Sequence, residues 1–174
     1  MLKTILVPTD SSKHAEKAIE LASDLARQYR ADLILMHVLR EGRVPEALQH
    51  MIEVEHLAEE SSASRPRSAS IPWEIAHLLE NKEENEAMRQ AYEALGNRIL
   101  EQAEGLAREK GVSQVRKVLE VGDPARRILE CAEREKADLI VMGSRGLGEL
   151  KGLLMGSVSS TVNQLSKCTC VTVK

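Results

Sequence analysis

Residues 141–160 read VMGSRGLGELKGLLMGSVSS, with glycine at 143, 146, 148, 152 and 156. Glycine loses more conformational freedom on ordering than any other residue, so a cluster needs a reason. The apolar run Leu139 to Met142 reads as a strand, and it empties into this segment. The segment ends in Ser157, Ser159, Ser160 and Thr161 rather than in acids. The first turn of a helix offers unpaired N–H donors and a partial positive charge. A strand that passes through glycines into such a turn makes an anion site, and a phosphate is the expected guest. No Asp or Glu occurs from Gly156 to Ser166, in a chain that is 29% charged. An ordinary surface helix favours acids in its first turn, so their absence leaves the positive end open to an external anion. Arg145 and Lys151 add positive charge nearby. A plainer reading stays open: the glycines punctuate a loop, and the Ser/Thr-rich helix packs against a neighbour.

Working outward, apolar runs alternate with helical stripes. Ile5 to Val7, closed by Pro8, suits a buried parallel strand. Ser11 or Ser12 caps the next helix, whose apolar stripe is Ala15, Ala18, Ile19, Ala22, Leu25 and Ala26. Leu33 to Leu39 reads as a second strand. A less regular stretch of about 41–90 follows, with a helical pattern from Ala47 to Ala58. The polar piece Ser61 to Ser70 within it reads as a loop. A strong helix resumes near Glu83, with Met88, Tyr92, Leu95, Ile99, Ala103 and Leu106 on one face and Gly111 beyond its end. Val115 to Val121 is a third strand. Asp123 and Pro124 open a helix as N-cap and first helical residue. After the fourth strand, a helix spans Ser157 to Leu165, and Cys170 to Val173 is the fifth strand. Strands that alternate with helices imply a parallel sheet covered on both faces. Ligands of such sheets bind beyond the carboxyl ends of the strands, where the winding reverses.

Bulk composition narrows the partners. The 174 residues favour one domain carrying an insertion at about 41–90. With Trp73, two tyrosines and no Phe, the core must be aliphatic. A net charge of -3 gives no support for a nucleic-acid surface. No apolar stretch approaches the length of a membrane span. The N-terminal apolar run is too short for a secretory signal, which points to the cytoplasm. Cys131, Cys168 and Cys170 lack metal-ligand spacing, and the last two read as small apolar fillers on one side of a strand rather than as a zinc or redox site.

Lys151 is followed by Gly152, which rules out a Walker A loop, and GxGxxG fails after Gly148. The spacing present is Gly143-x2-Gly146-x9-Gly156-Ser157. It resembles the ATP-binding signature of the universal stress protein family, G-x2-G-x9-G-[ST]. "KTILVPTDSSKHAEKAIELA", "ADLILMHVL" and "VGDPARRILECAEREKADLIVMGSRG" are similar to further elements of that family. The resemblance covers most of the chain outside residues 41–90. It implies a Rossmann-like, adenine nucleotide alpha hydrolase-like three-layer sandwich with sheet order 3-2-1-4-5.

It also implies a nucleotide, ATP or else ADP or AMP, with or without Mg²⁺. By similarity, Gly143, Gly146, Gly156, Ser157 and Ser159 surround phosphates and ribose, with Met142, Arg145 and Val158 alongside. Asp10 accepts from ribose hydroxyls, Val38 offers its backbone to the adenine edge, and Pro8 and Thr9 shape the adenine pocket. Asp10 has a second reading as a helix cap. His37 is read as structural rather than as a base, and Asp123 as a cap rather than a metal ligand. The resemblance further implies a homodimer paired through the C-terminal strand, with an unknown regulatory protein partner. The function expected is nucleotide-dependent regulation in a stress response. Two alternatives are a slow ATPase or phosphotransferase and a nucleotide-free dimeric interaction protein. No acid adjoins Ser157, so fast hydrolysis is not expected.

Overall fold

The computed structural model describes residues 2–40, 82–147 and 155–174, with 82–88 by backbone only. The elements in chain order are β1 (Thr4–Pro8), α1 (Lys13–Tyr29), β2 (Asp32–Leu39), α2 (Lys82–Glu109), β3 (Val115–Val121), α3 (Pro124–Arg134), β4 (Leu139–Gly143), α4 (Ser157–Leu165) and β5 (Thr169–Val173). Two compact units divide the chain: Met1–Glu41 with Ala91–Lys174, which holds the sheet, and Gly42–Gln90. The expected helix at Ala47 to Ala58 and the serine-rich loop at Ser61 to Ser70 lie outside the described residues. So do Gly148, Lys151 and Gly152 of the glycine segment.

The strands run β3-β2-β1-β4-β5, all parallel, as expected. Register follows the apolar runs: Ile5 pairs with Leu33 on one side and Leu139 on the other. Because successive side chains of a strand point to opposite faces, each run feeds two cores. Ile5, Val7, Leu33, Leu35, Leu139 and Val141 pack against the alanines of α1 and against Leu100, Ala103 and Ala107 of α2. Leu6, Ile34, Met36, Ile140 and Met142 pack against Ile128, Cys131 and Ala132 of α3 and Val162 of α4. The unbroken 0% exposure from Ile5 to Val7 and from Leu33 to Met36 is the signature of a sheet buried on both sides.

Local chemistry sets most element ends. Ser12 caps α1, its Oγ accepting from Ala15 N–H at 3.2 Å. Asp123 caps α3 through Arg126 N–H at 2.9 Å, with Pro124 in the first turn. After α2, Gly111 adopts φ +86°, and Val112 N–H closes onto Ala107 C=O at 3.1 Å. One expectation is corrected. The buried line of α2 is Gly96, Leu100, Ala103 and Ala107, while Tyr92, Leu95, Ile99 and Leu106 are only half-buried flanks. The small residues let the helix axis come close to the sheet. A Cβ on Gly96 would stand 2.6 Å from Leu119 Cδ1 and 3.3 Å from Leu39 Cδ2.

Candidate functional site

The winding reverses between β1 and β4, the neighbours at the centre of the sheet. Beyond their carboxyl ends, three segments meet: Thr9 to Ser12, Ser144 to Leu147, and the entry to α4. Ser11 turns the chain sharply out of β1 at φ +65°. Ser12 then reaches across, its Oγ donating to Arg145 C=O at 3.4 Å. Asp10 is half-buried beside them. Its Oδ1 accepts from Ser12 N–H at 3.1 Å and its Oδ2 from Leu147 N–H at 3.1 Å. Ser12, not Asp10, is therefore the helix cap, and the carboxylate ties β1 to the loop after β4. Each carboxylate oxygen has a second lone-pair direction, so Asp10 keeps capacity to accept from a ligand hydroxyl.

Ser144 organises the other half. It is 1% exposed. Its N–H donates to Val173 C=O at 2.7 Å, so β5 anchors the loop. Its C=O accepts from Gly156 N–H at 2.7 Å and from Ser159 Oγ at 2.8 Å. One buried carbonyl thus fixes where α4 begins. Gly156 is the N-cap of α4 and supplies no side-chain cap. No described residue accepts from the first-turn amides of Ser157, Val158 and Ser159, as expected for an open helix N-terminus. No acid stands in that turn.

The expected convergence of amides is therefore divided. Gly156 N–H and Leu147 N–H are satisfied within the protein, while the α4 terminus keeps its donors. The glycines too have internal reasons. A Cβ on Gly143 would stand 2.8 Å from His14 C and 2.9 Å from Ala15 N, so its absence lets β4 pass against the start of α1. A Cβ on Gly146 would collide with Asp10 Oδ2. At Gly156 the nearest atom is 3.5 Å away, an ordinary contact.

The remaining expected residues are distributed as follows. Arg145, Gly146 and Ser157 are exposed at the mouth. Ser159 is 4% exposed, and its hydroxyl also lies 3.0 Å from Gly156 C=O, so it serves the helix start rather than the opening. Met142 is 3% exposed within the core. Val158 and Val38 pack half-buried against the same core. Pro8 ends β1, and Thr9 N–H donates to Met36 C=O at 2.8 Å. His37 Nδ1 donates to Thr9 C=O at 2.7 Å, a tether between β2 and the turn after β1. Sequence reasoning passed over Ser144, Leu147 and His14, whose Nδ1 lies 3.2 Å from Ser144 Oγ. Ser144 does sit inside the Gly143-x2-Gly146 spacing, but its carbonyl's role needs the helix start in place.

Fold and site together define a doubly wound parallel α/β protein with its candidate ligand mouth at the switch point. The model of the universal stress protein family matches residues 1–174, and the chain belongs to that family. Universal stress protein YxiE of Bacillus subtilis is 34% identical over 174 residues, covering 100% of both chains. The solved structure of MJ0577 from Methanocaldococcus jannaschii is 28% identical with a TM-score of 0.68, covering 100% of this chain and 96% of that one. A universal stress protein solved in complex with cAMP shares the fold at 23% identity and a TM-score of 0.60, covering 99% of this chain and 96% of its own.

Proposed function

We propose that this chain binds an adenine nucleotide (ATP, ADP or AMP) at the switch-point mouth and acts as a nucleotide-dependent regulatory protein of the stress response. The observation that carries the reading is the junction of β4 and α4. Ser144 C=O holds Gly156 in place and leaves the first-turn amides of α4 open, with no acid beside them. In this reading the α4 terminus, Gly146, Arg145 and Ser157 take the phosphates. Asp10 takes the ribose, and Pro8, Thr9 and the Val38 backbone border the base. Gly143, Met142, Val158 and Ser159 shape the site from behind. Among the described residues no group of three or more His, Cys, Asp or Glu side chains is arranged to hold a metal, so Mg²⁺ would enter on the phosphates. The family's solved cAMP complex supports a nucleotide at the level of the fold.

The reading also takes the chain as one cytoplasmic universal stress protein domain, with residues 41–90 inserted after β2, that dimerises through β5. The edge position of β5, paired on one side to β4, supports that interface. No helix among the described residues is long and apolar enough to cross a membrane.

The test is direct. Denature the purified protein, chromatograph the supernatant for adenine nucleotides, and titrate the nucleotide-free chain with ATP, ADP and AMP by calorimetry. Saturable binding of one of them is expected. No co-purifying nucleotide and no heat at millimolar ligand would end the proposal.

A further inference from the structure

The sequence reads Cys168 and Cys170 as apolar fillers, and both do pack against the second core. Neither is fully buried, however. Cys168 also lines an open groove of about 280 Å³ at the end of α3, together with Leu129, Lys136, Ser166 and Lys167. Ser166 Oγ lies 3.3 Å from Cys168 Sγ and accepts from Cys168 N–H at 3.2 Å. Cys170 Sγ lies 3.8 Å from Cys168 C=O, so the second sulfur is directed back toward the first residue. Burial pushes the Cys170 thiol up, against a smaller downward pull from the Ser166 hydroxyl. The pair is thus asymmetric: one thiol lines a groove that carries the Lys136 ammonium and the Lys167–Glu133 ion pair, and the other stands behind it. Lys167 is tied to Glu133 at 2.9 Å, which fixes that wall.

We propose that Cys168 and Cys170 form a thiol pair that exchanges with small anionic disulfides. The Cys168 thiolate attacks one sulfur of R–S–S–R. That S–S bond breaks, a Cys168–S–S–R bond forms, and RS⁻ leaves and takes up the proton Cys168 gave to solvent. The Cys170 thiolate then attacks Cys168 Sγ and releases the second RS⁻. Two protein thiols lose two electrons in one new disulfide, and the small disulfide becomes two thiols. At about 3.3 Å of rise per residue, positions two apart in a strand lie about 6.6 Å apart. That is the long end of the roughly 4.4–6.8 Å a disulfide spans. The chain bends at Lys167 and Cys168, before β5 begins. A bond so placed is readily reduced again, the property of a reversible modification rather than a permanent staple. With the Lys167 charge met by Glu133, the Lys136 ammonium is the group that favours a disulfide whose flanking groups are carboxylates.

The test uses the whole native chain with glutathione disulfide, acid quenching and peptide mass mapping. Cys168 is expected to react at least about tenfold faster than Cys131, which is 0% exposed. The product should be a Cys168–Cys170 link lighter by two hydrogens. Cys170→Ser should stop at a glutathionyl group on Cys168, and Cys168→Ser should abolish the reaction. Lys136→Gln should slow glutathione disulfide by up to about fivefold and leave hydroxyethyl disulfide unaffected. Equal rates at Cys131 and Cys168, first modification at Cys170, a mixed disulfide that never closes in the unsubstituted chain, or reaction only after denaturation would each overturn the proposal. The mapping of the unsubstituted chain decides the case even if a variant fails to fold.

Discussion

The Asp10 carboxylate and the Leu147 backbone N–H, 137 positions apart in sequence, meet at 3.1 Å. This contact joins the carboxyl end of β1 to the loop leaving β4 across the point where the sheet reverses its winding. It makes Asp10 a structural partner of the loop as well as the proposed ribose acceptor, so any nucleotide arriving there meets a carboxylate already oriented by two backbone donors.

Replacement of Asp10 by Ala should therefore weaken nucleotide binding by at least about tenfold, the size expected when a hydrogen bond to a charged group is lost. Calorimetric titration of the nucleotide-free variant checks this. Unchanged affinity would detach Asp10 from the site.

Gly143 and Gly146 should separate fold from function. In Gly143→Ala the new methyl meets α1 backbone at 2.8–2.9 Å, and backbone cannot swing aside. A loss of roughly 1–3 kcal/mol in urea unfolding is expected. In Gly146→Ala the obstacle is the Asp10 side chain, which can turn away. Stability should change by less than about 1 kcal/mol while nucleotide affinity falls with the displaced carboxylate.

A third expectation concerns the edge strand. Val173 C=O faces the β4 side, since it accepts from Ser144 N–H. The polar groups of Thr172 then point outward, because they alternate along a strand. Thr172→Pro removes an outward donor and leaves the inward ladder intact. Sedimentation should show the unsubstituted chain as a dimer and the variant as a monomer. A dimer unaffected by the proline would place the interface elsewhere.

Asp138 supplies a pH-dependent contribution. Its carboxylate accepts from Lys3 N–H at 2.7 Å and Thr4 N–H at 3.0 Å, and these two bonds hold its pKa below the ordinary Asp value. A group with a depressed folded pKa stabilises the fold above its unfolded pKa, about 4, and loses that effect as pH falls through the folded value. Asp138→Asn should thus lower the urea midpoint at neutral pH, and the gap from the unsubstituted chain should close below about pH 4. A gap that stays constant with pH would refute the assignment.

How much of this was legible beforehand follows from the range of the forces involved. Continuous apolar runs at Ile5 to Val7 and Leu33 to Leu39 mark strands buried on both faces. Ser11 or Ser12 and the Asp123–Pro124 pair mark helix starts, and Ser157 to Leu165 reads as a helix, because such signals act within a few residues. With the glycine spacing, these features determined the alternation and led to the family and its strand order. Tertiary structure alone decided which face α2 buries, because that depends on how near Gly96 lets the helix come to Leu119 of β3. It likewise decided that Asp10 reaches Leu147, that the Ser144 carbonyl sets the start of α4, and that Cys168 opens on a groove. Each of these last three depends on chain segments that become neighbours only once the sheet and the helices on it are assembled, and no local pattern in the sequence encodes a distance between segments so far apart.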